Sequence, residues 1–284
     1  MPRVNIYICA HIMEENFWFA LGLTLFAGLS TGIGSFIGLF TKATNHKGLS
    51  FAMGFSAGVM IYISFTELFF QGQESLINEL GEKGGSWAAA ISFFVGISLI
   101  AGIDKFIPSY ENPHEYSDTT ALEVDENKIK TLPKAKLMRT GMFTAIALGI
   151  HNFPEGMATF AGALKDVSLG IPIAVAIAIH NIPEGLAVSV PIYYATGNRK
   201  KAFFYSFLSG LAEPVGGLLG YLILRPFFND LLFGYIFTGI AGIMVFIALD
   251  QLLPAAKEYG EHHHGIYGLV TGMAVMAVSL LLFL

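Results

Sequence analysis

"AIALGIHNFPEGMA" at residues 145–158 returns as "AVAIAIHNIPEGLA" at 174–187, and the two stretches align without a gap. Each sets His, Asn and Glu inside an apolar run of the length, about 20 residues, that crosses a bilayer core as a helix. Consecutive crossings run antiparallel, so the two motifs meet near mid-span, related by a pseudo-two-fold axis in the membrane plane. The reading that follows is a bundle of membrane helices built around a duplicated polar centre.

The rest of the chain agrees. Of 284 residues 54% are hydrophobic and 13% charged, and the mean hydropathy is +0.61, which marks a polytopic membrane protein. Eight apolar runs are read as crossings: 17–40, 49–71, 86–107, 140–163, 168–194, 201–224, 231–254 and 265–284. None alternates polar with apolar residues as a barrel strand would, so the fold class is all-α. The single cysteine, Cys9, excludes a disulfide framework and a thiolate cluster, leaving nitrogen and oxygen as metal ligands. Glu14 and Glu15 before the first run are the reverse of a basic signal-peptide region, so no cleavable signal is expected. The formal charge of −5 sits in short loops and offers no face for nucleic acid.

Where the basic residues lie sets the orientation. With eight crossings both termini share one side, together with Arg3, Lys83, Lys165 and Arg225; the other twelve Lys and Arg, Lys42, Lys47 and Arg199–Lys201 among them, share the opposite side. Excess positive charge marks the cytoplasm, so both termini are expected outside. The one long connection, 108–139, contains "PSYENPHEYSDTTALEVDENKIKTLPKAK" and reads as a solvated, flexible cytoplasmic linker. A short cytoplasmic loop carries "HHH" at 262–264, which reads equally as a solvated turn or as ligands for an emerging ion. Small residues spaced four apart, such as Gly34 with Gly38 and Gly54 with Gly58, point to close helix packing and to no chemistry.

A second, weaker repeat spans the chain. "AGVMIYISFTEL" at 57–68 matches "AGIMVFIALDQL" at 241–252, pairing Met60 with Met244 and Glu67 with Gln251, beside Asp250. The two lie an odd number of crossings apart and so run in opposite directions. A 3+2+3 arrangement is expected, the outer triplets as inverted repeats and 140–194 as a metal-binding pair between them, all within one transmembrane domain.

Three glutamates, Glu155, Glu184 and Glu213, fall deep in their runs; facing lipid ionised they would together cost about 8 to 10 kcal/mol. They must face one another, water or a cation. Residues three and four apart share a helix face, so Glu155 lies one turn from His151 and Asn152, and Glu184 one turn from His180 and Asn181. Pro154 and Pro183 each remove a backbone hydrogen bond, and helices broken at mid-membrane are expected. Imidazole with carboxylate suits Zn, Fe, Mn or Co and, without thiolate, lets the ion leave. Glu213, in "GLAEPVGG", joins this set; Glu67, seven residues after Met60, is expected along the path, while Asp250 reads equally as structural.

"HNFPEG", "HNIPEG" and "GLAEP" on successive runs closely resemble the ZIP (zinc/iron-regulated transporter-like) family, in particular its bacterial ZupT-type branch, over nearly the whole chain. The resemblance implies a multi-pass protein of the bacterial plasma membrane that imports divalent metal by alternating access, with an elevator-like movement. Zn(2+), Fe(2+), Mn(2+) and Co(2+) are the implied substrates, no prosthetic group is implied, and a homodimer is an implied assembly. It further implies a binuclear site: Glu155 and Glu184 bridging, His151 and His180 on one ion, Asn152, Asn181 and Glu213 on the other, and Met60 facing the first.

Two other chemistries fit the motif less well. An intramembrane di-metal enzyme would carry Glu-x-x-His or His-Glu-x-x-His spacing, whereas here His precedes Glu by four with proline between. A haem held by two histidines leaves the duplicated Asn and Glu without a role.

Overall fold

A computed structural model describes residues 2–40, 46–106, 134–259 and 262–282, and every element among them is helical. Lipid offers backbone groups no partner, and a helix satisfies all of them within one segment. The helices are α1 (Pro2–Gly38), α2 (His46–Ile63), α3 (Phe70–Phe106), α4 (Lys134–Lys165), α5 (Val167–Thr196), α6 (Arg199–Gly210), α7 (Ala212–Leu224), α8 (Asp230–Ile247), α9 (Leu253–Tyr259) and α10 (His262–Leu282). Two π-helical turns, Ser64–Phe69 and Ala248–Leu252, join α2 to α3 and α8 to α9.

Six described stretches are long and apolar enough to cross a membrane: Asn16–Gly38, Lys47–Lys105, Val167–Thr196, Arg199–Phe227, Asp230–Lys257 and His263–Leu282. The eight separate runs expected from sequence become six by this measure, since 49–71 and 86–107 merge into one stretch and 140–163 is not among them. That merged stretch doubles back within α3 at Gly81, whose φ of 76° and ψ of 164° only glycine adopts without strain. Most of the connection expected at 108–139 lies outside the described residues, but 134–139 already forms the first turns of α4. Likewise His262–His264 opens α10 instead of sitting in a loop.

The prolines act differently from expectation. Both α4 and α5 run as unbroken helix through Pro154 and Pro183, because the hydrogen bonds that one proline removes from α4, and three remove from α5, are tolerated where neighbouring turns hold. Only Pro214 coincides with a break: its ring and missing N–H act on the carbonyl of Gly210, where α6 ends and Leu211 turns before α7.

Packing sorts the helices into two groups. In one, α1 lies along α5 and also touches α4, α6 and α7, while α4 packs on α5 and α7. In the other, α2 packs on α10 and α3 on α8. Between the groups α2 meets α5 and α4 meets α8. The main apolar core fills this seam and includes Met60, Met244, Ile177 and Phe237. Glycine permits the closest approaches: a Cβ on Gly34 would strike the Ile182 carbonyl of α5, and one on Gly156 the Glu213 carbonyl of α7. At the rim of the seam Lys165, ending α4, pairs with Asp230 at 2.8 Å, donates to Ser75 at 2.8 Å and lies 3.9 Å over the Phe233 ring.

Candidate metal centre

A single residue, Asp166, separates α4 from α5 and caps the latter by accepting from Ser168 N–H. So tight a turn leaves the two helices antiparallel and in contact, and each motif meets the other upside down. His151 therefore faces Glu184 across the pair, and His180 faces Glu155. Their separations are 2.9 Å (His151 Nε2 to Glu184 Oε1) and 3.3 Å (His180 Nε2 to Glu155 Oε2). The within-helix pairs close a ring, His151 to Glu155 at 3.8 Å and His180 to Glu184 at 4.0 Å. All four side chains are buried.

Hydrogen-bond logic restricts what this ring can be. The Nδ1 of His180 lies 3.2 Å from the Ala176 carbonyl, which can only accept, so Nδ1 carries a proton. In a neutral imidazole Nε2 is then a bare acceptor, and it faces a carboxylate oxygen. Two acceptors in contact, away from water, need a proton or a cation between them. The Ala176 bond also orients the ring, as partners of metal-bound histidines do. Gln251, buried in the second π-helical turn, lies beside the His151 imidazole.

Next to the ring is a second set, rich in oxygen. Asn152 donates to the Ser209 carbonyl at 3.4 Å; Asn181 donates to the Ala27 carbonyl at 2.9 Å and to Glu213 Oε1. That leaves Asn152 Oδ1, Asn181 Oδ1 and Glu213 Oε2 buried with no hydrogen-bond partner among the described residues, as are Glu155 Oε1, Glu184 Oε2 and His151 Nδ1. Native interiors seldom leave such atoms unpaired, and six among the motif residues is the signature of a site that takes a ligand. Among the described residues no three His, Cys, Asp or Glu side chains form a ready-made ion cage; imidazoles and carboxylates are turned onto one another instead.

Seven of the nine residues expected in the site thus come together: His151, Asn152, Glu155, His180, Asn181, Glu184 and Glu213. Met60 is fully buried in the apolar core that also holds Ile177, one turn before His180. Its helix reaches that level, since Ser56 Oγ donates to the His180 carbonyl at 3.3 Å. Glu67 is half-buried in the first π-helical turn, hydrogen-bonded to Gln71, and Asp250 is exposed in the second. Sequence reading did not place Gln251 or the Ala27 and Ser209 carbonyls in the site. The repeat that set Gln251 opposite Glu67 was the available signal; backbone acceptors on other helices leave none.

A membrane helix bundle that buries imidazole, amide and carboxylate at its centre has the ligand chemistry of a divalent-cation site. Residues 107–280 match the family model described as ZIP Zinc transporter. The chain is 61% identical over 272 residues to the zinc transporter ZupT of Chlorobium chlorochromatii (strain CaD3), covering 95% of this chain and 100% of that protein. It is 57% identical over 278 residues to that of Clostridium perfringens (strain 13 / Type A), covering 95% and 98%. The counterpart in Streptococcus mutans serotype c (strain ATCC 700610 / UA159) is 58% identical over 272 residues, covering 96% and 100%. The chain belongs to the ZIP zinc transporter family and is a multi-pass membrane protein, a transporter and not an enzyme.

Proposed function

We propose that the protein carries Zn(2+) into the cytoplasm through the His151, Asn152, Glu155, His180, Asn181, Glu184 and Glu213 centre, and accepts Fe(2+), Mn(2+) and Co(2+) as well. The observation that carries this reading is the ring of Nε2 and carboxylate atoms that needs positive charge to be stable. An ion bound tetrahedrally at about 2.0 to 2.2 Å from nitrogen and oxygen holds them about 3.4 Å apart. The four contacts, from 2.9 to 4.0 Å, straddle that value, so imidazole and carboxylate that turn from one another onto an ion let zinc take the place of the bridging protons. The unpaired oxygens of Asn152, Asn181 and Glu213 supply a second ion, with Glu155 and Glu184 between the two. Met60 and Glu67 belong to the path on the α2 side.

The same reading takes eight crossings in a 3+2+3 order. Its support is the reversal at Gly81, the 32-residue length of α4, and a packing pattern that repeats: α3 lies on α8 as α10 lies on α2. The two π-helical turns begin at Ser64 and Ala248, positions that the 57–68 and 241–252 repeat sets opposite each other. Two helix groups meeting at an apolar seam suit an elevator-like alternating access, with α4 and α5 in the moving group. Both termini lie outside a bacterial plasma membrane, the 108–139 connection inside, and the functional unit is a homodimer. Sealed vesicles containing purified protein test the core of this: wild type accumulates zinc, and Glu184→Ala, which removes the one carboxylate oxygen within 4.0 Å of both imidazoles, loses nearly all uptake. Unchanged uptake in that variant would refute the site.

A further inference from the structure

Besides the six atoms of the motif residues above, Thr31 Oγ1 is buried with no hydrogen-bond partner among the described residues; it lies about two turns from the end of α1 and is fully buried. A threonine inside a membrane helix ordinarily donates to the carbonyl four residues back. Thr24, Thr159, Thr196, Thr238 and Thr271 all do so here. For Thr31 that acceptor is Ala27, and a carbonyl oxygen has two lone pairs. The helical N–H of Thr31 holds one, and Ser30 Oγ at 2.5 Å and the Asn181 amide at 2.9 Å crowd the other. Ser30 and a residue of the metal centre together keep the hydroxyl off its own helix.

Its position matches. Thr31 Oγ1 lies 2.8 Å from where a Cβ on Gly210 would stand, next to Ser209, whose carbonyl receives Asn152. Gly210 is one turn before Glu213, and Ala27, one turn before Thr31, receives Asn181. The hydroxyl thus lies between two backbone segments, at Ala27 and at Ser209–Gly210, that hold the amides of Asn181 and Asn152.

We propose that Thr31 is a further binding residue of the transport site: its hydroxyl is a neutral oxygen donor to the ion held by Asn152, Asn181 and Glu213. The inference rests on the reading of that centre given above. An added oxygen ligand favours ions that prefer oxygen, so Thr31 helps Mn(2+) more than Zn(2+).

The test is uptake of each ion into sealed vesicles by wild type, Thr31→Val, Thr31→Ser and Glu184→Ala, with thermal stability recorded for each. Thr31→Val is expected to fold, to raise KM for zinc roughly three- to tenfold, the worth of one polar contact, and to raise that for manganese more. Thr31→Ser, which keeps the hydroxyl, stays near wild type. Should valine crowd Gly210 and prevent folding, Thr31→Ala is read in its place. Wild-type KM values for both ions in Thr31→Val, or equal impairment in Thr31→Ser, overturn the proposal. If Glu184→Ala transports normally, the reading of the centre falls; if it fails while Thr31→Val is normal, only the role of Thr31 falls.

Discussion

The saturated Ala27 carbonyl makes a prediction about stability that needs no ion at all. In Asn181→Ala two buried hydrogen bonds vanish, one to the Ala27 carbonyl and one to the Glu213 carboxylate. The bond to the Glu213 side chain is worth about 1 kcal/mol, the central value for a buried hydrogen bond. The neutral one is worth about 0.6 kcal/mol, the mean found between membrane helices. A loss of about 2 kcal/mol is therefore expected before relaxation. Relaxation is specific, however: once Ser30→Ala is added, the Ala27 carbonyl keeps only the helical N–H of Thr31, and the Thr31 hydroxyl can turn back onto it as other threonines do, returning about 0.6 kcal/mol. Thr31→Val should accordingly be nearly neutral in wild type, where its hydroxyl bonds nothing, yet cost about 0.6 kcal/mol in the background carrying Ser30→Ala and Asn181→Ala together. Unfolding of the metal-free protein in mixed micelles, run as a double-mutant cycle, measures this coupling. Strict additivity, or a cost of Thr31→Val in wild type as large as in that background, would refute the argument that Ser30 and Asn181 occupy the threonine's natural acceptor.

Gly34→Ala drives a methyl group into the Ile182 carbonyl, backbone against backbone, so α1 and α5 must part; a loss of about 2 kcal/mol or more and a lower yield of folded protein are expected. Lys165→Met removes the ion pair with Asp230, both of whose members are partly exposed, and the bond to Ser75, so the cost is about 1 kcal/mol, and the gap from wild type in thermal unfolding narrows as salt is raised. Protons and the transported ion compete for the same Nε2 and carboxylate atoms, so zinc uptake measured between neutral and mildly acid pH falls as pH falls, through a rise in KM.

How far the sequence carried these conclusions depends on whether a feature is periodic or relational. The duplicated HN-x-P-E-G is periodic: the spacing of His, Asn and Glu puts them on one face of each helix, and antiparallel crossings can only bring those faces together inverted. That much was legible, and the ring of His151, Glu184, His180 and Glu155 follows from it. Proline was a poorer guide. It reads identically at 154, 183 and 214, yet only Pro214 stands beside a break, because the outcome depends on the neighbouring helices and not on proline itself. The π-helical turns at Ser64 and Ala248 carry no residue signature; the repeat of 57–68 in 241–252 marks them as equivalent positions without saying what they are. Least legible was Thr31, whose significance lies wholly in an acceptor on its own helix being taken by Ser30 and by an amide 154 positions away. Polar chemistry that arises from competition for one carbonyl leaves no pattern along a chain, and it is there that a structure adds most to the reading of a transporter.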